Sequence, residues 1–253
     1  MIEAPINRPH DASAPAHDNL LLAGLPQDER ARLSGSLELV PLALGQVLYE
    51  SGEPIPHAHF PTDCVVSLLY VMKNGASAEI AIIGNEGMVG ISIFMGGEST
   101  MSRAIVQNAG WAYRMEARIL KQEFHRGGRL SRSLLLFSSA LITQMVQTAA
   151  CNRHHTVDQQ LCRWMLLSLD RLPTSQIAMT DRLIGNMLGL RTDQVSAATG
   201  VLSEAGLIRY HDGLITVIDR AGVESRSCEC YAVVKKETER LLAPYPGPDP
   251  ATR

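Results

Sequence analysis

The stretch Met179–Tyr210, MTDRLIGNMLGLRTDQVSAATGVLSEAGLIRY, holds two short helical patterns broken at Gly189. Thr180 stands where its hydroxyl can accept one of the orphan N–H groups that open the first helix. Ile184, Met187 and Leu188 supply that helix's apolar side. Gly189 falls where the turn needs a left-handed backbone, a conformation that costs other residues about 1–2 kcal/mol. In the second helix the 3.6-residue period buries Val195, Ala198, Thr199 and Leu202. It turns Thr192, Asp193, Ser196 and Ala197 outward. That outer face is small, which suits a confined space such as a DNA major groove about 12 Å wide.

A helical hairpin alone is also ordinary core. The residues that follow narrow the choice: Leu207–Tyr210, the turn His211-Asp212-Gly213 and Leu214–Ile218 read as a β-hairpin with Asp-Gly at its turn. Two helices followed by such a hairpin form a winged helix-turn-helix, a more specific pattern than either part. Its candidate DNA-contacting residues are Thr180, Arg191, Thr192, Asp193, Gln194, Ser196 and Ala197.

The chain has 253 residues, enough for two domains, and 45% hydrophobic with 19% charged residues fits a globular protein. No continuous apolar run approaches the ~18–20 residues of a membrane span. The segment 1–18 lacks the apolar core of a secretory signal; it and 243–253 are expected to be disordered tails. The net charge of −3 does not advertise nucleic-acid binding: Arg182, Arg191, Arg209 and Arg220 are offset by Asp181, Asp193, Glu204 and Asp212. Local placement decides, since phosphate contacts are screened over ~8 Å. Five cysteines (Cys64, Cys151, Cys162, Cys228, Cys230) are scattered, and none has Cys-x-x-Cys spacing. Cys228-x-Cys230 is too tight for an ordinary zinc knuckle, so no metal site is expected, and a cytoplasmic protein with reduced thiols is the simplest account.

Between about Leu37 and Met115 short strand-like runs alternate with turns: Leu37–Val40, Val47–Tyr49, Cys64–Val71, Glu79–Ile83, Ala104–Gln107 and Trp111–Met115. This spacing predicts an antiparallel barrel or jelly roll. Pro26–Ser36 reads as a short helix before it. Helical period takes over after Glu116, with its longest stretch at Leu130–Cys151, where Leu134, Phe137, Leu141, Met145 and Thr148 form an uncharged stripe. Thr156–Leu172 is another helix, closed by Pro173, and the last is expected over Ala221–Leu242. The predicted class is α+β: an antiparallel effector barrel over 19–128, a long connecting helix and hinge over 129–155, and a winged helix-turn-helix over 156–242.

This order of parts resembles the Crp/Fnr family of bacterial transcription regulators, from about Asn19 to Leu242. The likeness is carried by Leu48-Tyr49-x-x-Gly52-Glu53, by Gly84–Gly90 (GNEGMVG), and above all by Met179–Tyr210. The resemblance implies a homodimer paired through the long helix, with Leu134, Phe137, Leu141, Met145 and Thr148 as its seam. Two recognition helices would read a palindromic duplex with half-sites about 34–36 Å apart. It adds RNA polymerase as a further partner and a cyclic-nucleotide-binding-like pocket whose candidates are Gly90, Ile91 and Arg103. In members that bind cyclic AMP a Glu holding the ribose hydroxyl follows that Gly; here Ile91 cannot accept a hydrogen bond, and Arg103 is one place off the phosphate-binding Arg. Cyclic AMP is therefore not the expected effector, which stays unknown, and no cofactor is assigned. Oxygen-sensing members hold an iron–sulfur centre with N-terminal cysteines, and no cysteine precedes Cys64 here. The Glu and Arg with which family members commonly read bases fall at Asp193 and Ala197. A different operator follows, with Asp193 suited to cytosine and Arg191 or Gln194 to purine edges.

The alternative from another class is a cupin-like jelly-roll enzyme or metal sensor using His57 and His59 with Asp63 nearby. It needs a third histidine on a later strand, and His125, His154, His155 and His211 all fall outside the barrel runs. His154 and His155 point in different directions on a helix and read as a solvated connection. Cys151 and Cys162 read as buried structural thiols. No nucleophile, base and orienting group stand at recognisable spacing, so a non-enzyme is expected. Gly200 inside the second helix costs about 1 kcal/mol against alanine, for which close packing is the expected reason.

Overall fold

The computed structural model describes residues 19–97 and 99–243. The two expected tails lie outside these residues except for Ala243. In chain order the elements are α1 (Leu20–Ala23), α2 (Gln27–Ser34), β1 (Glu38–Leu42), β2 (Val47–Tyr49), β3 (His57–Pro61), β4 (Val65–Val71), β5 (Ser77–Ile83), β6 (Ser102–Asn108), β7 (Gly110–Glu116), α3 (Ala117–Arg126), α4 (Arg129–His154), α5 (Val157–Leu169), β8 (Gln176–Ala178), α6 (Asp181–Leu188), α7 (Thr192–Glu204), β9 (Ile208–His211), β10 (Leu214–Val217), α8 (Arg220–Arg226) and α9 (Glu229–Leu242). The class is α+β, with N-terminal antiparallel sheets, a long helix and a C-terminal helix-turn-helix domain.

Two antiparallel sheets, in strand orders β1-β7-β3 and β2-β6-β4-β5, make the N-terminal unit. Alternation along β4 explains why its run is almost wholly apolar. Val66 and Leu68 face the core between the sheets, with Phe60, Ile83, Val106 and Met115. Val65 and Leu69 face the other way and join Ile82 in a second core with Leu161, Trp164 and Met165 of α5. A strand covered on both faces loses the polar alternation of a half-exposed one. The C-terminal unit is thus packed directly on the outside of the four-stranded sheet.

Strand β3 has no counterpart in the sequence reading. Its residues His57-Ala58-His59-Phe60-Pro61 pair with Glu116–Ala112 of β7, but histidines and a proline mask the alternation. His57 and His59 therefore lie on a strand, and His59 is 7% exposed. Burial, with the charges of His57 and Arg114, lowers its pKa to about 4. The expected final helix is two helices, because Ser227 and Cys228 are extended and break it.

The long helix α4 is capped from a distance. Glu29 of α2 accepts from the backbone N–H of Arg129 (2.8 Å) and of Leu130 (2.9 Å), placing a carboxylate where the helix dipole and orphan donors favour it. By length and composition α4 would be apolar enough to cross a membrane, contrary to the expectation that no segment is. No apolar run spans α4 unbroken, because the helix interleaves Ser, Thr and Gln with its apolar residues. Its inner face is core: Leu130, Leu134, Phe137 and Leu141 lie at most 2% exposed against the barrel.

That burial overturns one expectation. Leu134, Phe137, Leu141 and Thr148 are buried within the chain, and Met145 packs against the same core, so this stripe is not an available seam. The outward face instead shows Leu135 (54% exposed), Ile142 (50%) and Val146 (59%). With Ser139 and Ala149, also exposed, these recur at alternating four- and three-residue steps, the heptad spacing of a two-helix seam. The more apolar stripe was taken by the barrel, and periodicity along one helix does not tell a barrel-facing stripe from a partner-facing one.

The GNEGMVG segment connects all three parts. A Cβ at Gly84 would stand 2.6 Å from Cβ of Arg171, and one at Gly87 only 2.0 Å from the Phe137 ring. Gly90 has φ 105°, in the region glycine tolerates. Arg171, just after α5, donates to Glu86 Oε1 at 2.7 Å and to Leu167 O at 2.7 Å, while Glu86 Oε2 accepts from Gly84 N. The glycines let α4 and the segment after α5 lie against this loop.

Candidate nucleic-acid interface

Helix α6 begins at Thr180, whose Oγ1 accepts from Leu183 N, and ends at Gly189 in the left-handed conformation, φ 68°. The turn's tightest point is one the sequence reading passed over. Gly185 lies under the turn, where Leu190 N donates to Gly185 O at 2.8 Å. A Cβ on Gly185 would sit 2.7 Å from the Leu190 carbonyl oxygen. A glycine inside a helical pattern was the available signal.

Helix α7 buries Val195, Ala198, Thr199 and Leu202, and leaves Thr192, Asp193, Gln194, Ser196 and Ala197 exposed. Arg191 grips Asp193 through two hydrogen bonds, Nε to Oδ1 at 2.9 Å and Nη2 to Oδ2 at 2.5 Å. The guanidinium holds the Asp193 carboxyl below its ordinary range. Both side chains are well exposed, so this ion pair adds little stability; it fixes where the two groups point. Gln194 Oε1 accepts from Arg191 N at 3.1 Å, capping the helix and leaving its Nε2 to donate outward. Ser196 Oγ donates to Asp181 of α6, tying the two helices together. Only part of the expected reading set thus points freely outward in this chain: Arg191 and Asp193 engage each other. Gly200 has nothing within 4 Å of its would-be Cβ, so close packing within the chain is not its reason.

The wing turns at Asp212 (φ 50°) and Gly213 (φ 76°), as the Asp-Gly signal implies, with its strands one residue away from the expected limits. A third strand, β8, pairs with β10 and makes the sheet order β8-β10-β9. Three residues were too short a run to stand out. Arg182 and Arg209 are exposed and join no ion pair among the described residues.

Helix α6 rests on the barrel: Ser77 Oγ of β5 donates to Asn186 O at 3.3 Å. Beneath α5 lies a buried polar chain. Ser67 Oγ is 2.6 Å from Glu79 Oε2 and 2.8 Å from Gln107 Oε1, and Gln107 Nε2 donates to Ser168 Oγ at 2.9 Å. One hydroxyl has one proton, so both contacts of Ser67 are satisfied when Glu79 is protonated and donates. Burial pushes the Glu79 pKa up to about 7, against the pull of Ser67, Arg163 and Arg171.

A second candidate site is a cavity of about 240 Å³ between the barrel and α4. Gly90 and Ile91 line it, with Tyr49, Leu68, Ile83, Leu141 and Met145. Arg103 does not line it; its guanidinium pairs with Glu50 at 3.1 Å. No described lysine or arginine faces the cavity, whose walls are mostly apolar with hydroxyls from Tyr49, Thr100 and Ser102. At the other candidate, the His57 and His59 rings are 6.4 Å apart, and Asp63 is occupied by Trp111 N at 2.7 Å. Among the described residues no third ligand joins them.

Residues 159–226 match the family model of the Crp-like helix-turn-helix domain. No curated protein matches the chain. Among solved structures, FixK2 from Bradyrhizobium japonicum superposes with a TM-score of 0.63 at 15% identity, covering 76% of this chain and 98% of its own. TTHB099, a transcriptional regulator of the CRP family from Thermus thermophilus, gives 0.62 at 15% identity, over 74% of this chain and 96% of its own. The c-di-GMP responsive global regulator CLP of Xanthomonas campestris gives 0.60 at 11% identity, over 76% and 99%. The chain carries a Crp-like helix-turn-helix domain on the fold of the Crp/Fnr transcriptional regulators.

Proposed function

We propose that this protein is a non-enzymatic, cytoplasmic, sequence-specific DNA-binding transcription regulator acting as a homodimer on a palindromic operator. The observation that carries the reading is the exposed face of α7, small and polar from Thr192 to Ala197, presented beside a wing with an exposed Arg209. The proposed units are an effector barrel over 19–128, a long helix and hinge over 129–155, and a DNA-binding unit over 156–242. Dimerisation is supported by the Leu135, Ile142 and Val146 face of α4, since an apolar heptad seam facing water gains by pairing. RNA polymerase is the further protein partner. On DNA, Arg191 exchanges Asp193 for a guanine edge, and Gln194 offers its amide to an adenine.

The effector reading follows from the cavity. A cyclic nucleotide needs a cation for its phosphate and an acceptor for its ribose, whereas the lining offers no cation and Ile91 stands where that acceptor would be. A small, uncharged, largely apolar molecule fits this lining, and contact with Leu141 and Met145 would let it bias α4.

Selection from randomised duplexes with the full chain tests the function. The expected outcome is a palindrome bound in a salt-sensitive manner, with Arg191→Ala and Gln194→Ala each relaxing preference by about 1–3 kcal/mol per lost base contact. A purified dimer that prefers no sequence, with or without cell metabolites, overturns it.

A further inference from the structure

Four side chains that the sequence places far apart meet at the hinge. Cys151 and His155 lie one turn apart at the end of α4, where His155 N still donates to Cys151 O at 3.0 Å. Cys228 caps α9, and Cys230 stands in its first turn. One ligand atom from each of the four lies within 4.8 Å of all the others. Cys151 Sγ is 3.5 Å from Cys228 Sγ, and Cys230 Sγ is 3.6 Å from His155 Nδ1.

Both of these separations are close to the edge lengths of a coordination tetrahedron. Zinc bonds of about 2.3 Å to sulfur and about 2.0–2.1 Å to nitrogen place tetrahedral S···S pairs about 3.8 Å apart and S···N pairs about 3.6 Å apart. Ligand atoms this close are within reach of a single ion. The outer surroundings fit as well. With Nδ1 turned to the thiols, His155 Nε2 stands 3.3 Å from the Glu229 carboxylate, the arrangement that fixes a ligating imidazole's tautomer. Arg163, 3% exposed, acts electrostatically on both Cys151 and Cys230, and its Nε has no acceptor among the described residues. Three thiolates, a neutral imidazole and a dication sum to one negative charge, which the Arg163 guanidinium balances.

We propose that Cys151, His155, Cys228 and Cys230 bind one zinc ion. The thiols surrender their protons to solvent as three metal–sulfur bonds form, and nothing is oxidised or reduced. The ion fastens the end of α4 to the start of α9 across the hinge at His155 and Thr156, so it fixes how the C-terminal unit hangs from the long helix. The reading of Cys228-x-Cys230 as too tight for zinc took those residues alone, and the reading of His155 as solvated missed α9; the fold supplies two ligands from each helix.

The full chain, purified in reductant and supplied with zinc, should hold one equivalent per chain by elemental analysis. Its cobalt form should show tetrahedral bands with thiolate charge transfer. Cys230→Ser should lose the metal and Cys162→Ser should keep it. Glu229→Gln, at a side chain 75% exposed and outside the ligand set, should fold normally and bind zinc about 10–100-fold more weakly against a competing chelator. A wild-type chain that stays metal-free with its thiols reduced, or that carries a Cys151–Cys228 disulfide instead, overturns the proposal. So does zinc retained in full by the Cys151→Ser, Cys228→Ser double variant.

Discussion

Arg171 and Glu86 are paired at 2.7 Å with side chains 6% and 10% exposed, and they join the segment after α5 to the loop that leads to the cavity between the barrel and α4. A buried pair of this kind need not stabilise more than an apolar one, but removing one partner strands the other charge. Arg171→Ala is expected to destabilise the chain by about 3–5 kcal/mol in urea unfolding. Gly84→Ala should weaken the same junction, because its Cβ would meet the Arg171 side chain at 2.6 Å. An unchanged unfolding midpoint for both would remove the pair's role.

The two faces of α4 should separate on mutation. Ile142→Glu with Val146→Glu charges the exposed face and should give a folded monomer by sedimentation, with DNA affinity lost. Phe137→Ala acts on the buried face and should cost about 3–5 kcal/mol of stability while the oligomeric state of the folded fraction is unchanged. The reverse pattern would restore the buried stripe as the seam.

Two glycines of the helix-turn-helix should respond in opposite directions. Gly200→Ala enters open space and should stabilise the chain by about 1 kcal/mol through helix propensity. Gly185→Ala meets the Leu190 carbonyl and should lower the thermal midpoint. If Gly200→Ala also abolishes DNA binding, the open space there is clearance for the duplex.

Stability should depend on pH through two buried groups with opposing slopes. Glu79 has its folded pKa raised to about 7 from 4.5, so the folded chain keeps a proton that the unfolded chain releases. Its contribution is complete below the lower value and falls as pH rises through that window, by roughly 3 kcal/mol. His59, lowered from 6.5 to about 4, runs the other way: stability is lost as pH falls between those values. Glu79→Gln should remove the first slope and leave stability rising with pH. Urea titrations of both proteins at about pH 5 and about pH 7.5 measure the difference; identical pH dependence would show that Glu79 does not titrate there.

Local signals carried much of the fold. Thr180, Gly189 and the Asp212-Gly213 turn mark their structures in sequence because capping, left-handed backbone and hairpin twist are decided within a few residues. Strand β3 was hidden because histidine and proline obscure the period of two, and β8 because it is three residues long.

By itself the sequence determined the order of the parts, the inner and outer faces of α7, and the Asp-Gly wing, all consequences of short-range periodicity and backbone preference. Only the tertiary structure decided which face of α4 is free, why Gly84 and Gly87 must be glycine, and that Arg191 holds Asp193. It alone brought Cys151 and His155 to Cys228 and Cys230. Those facts depend on residues distant in the chain meeting in space, and spacing along one segment contains no record of what packs against it.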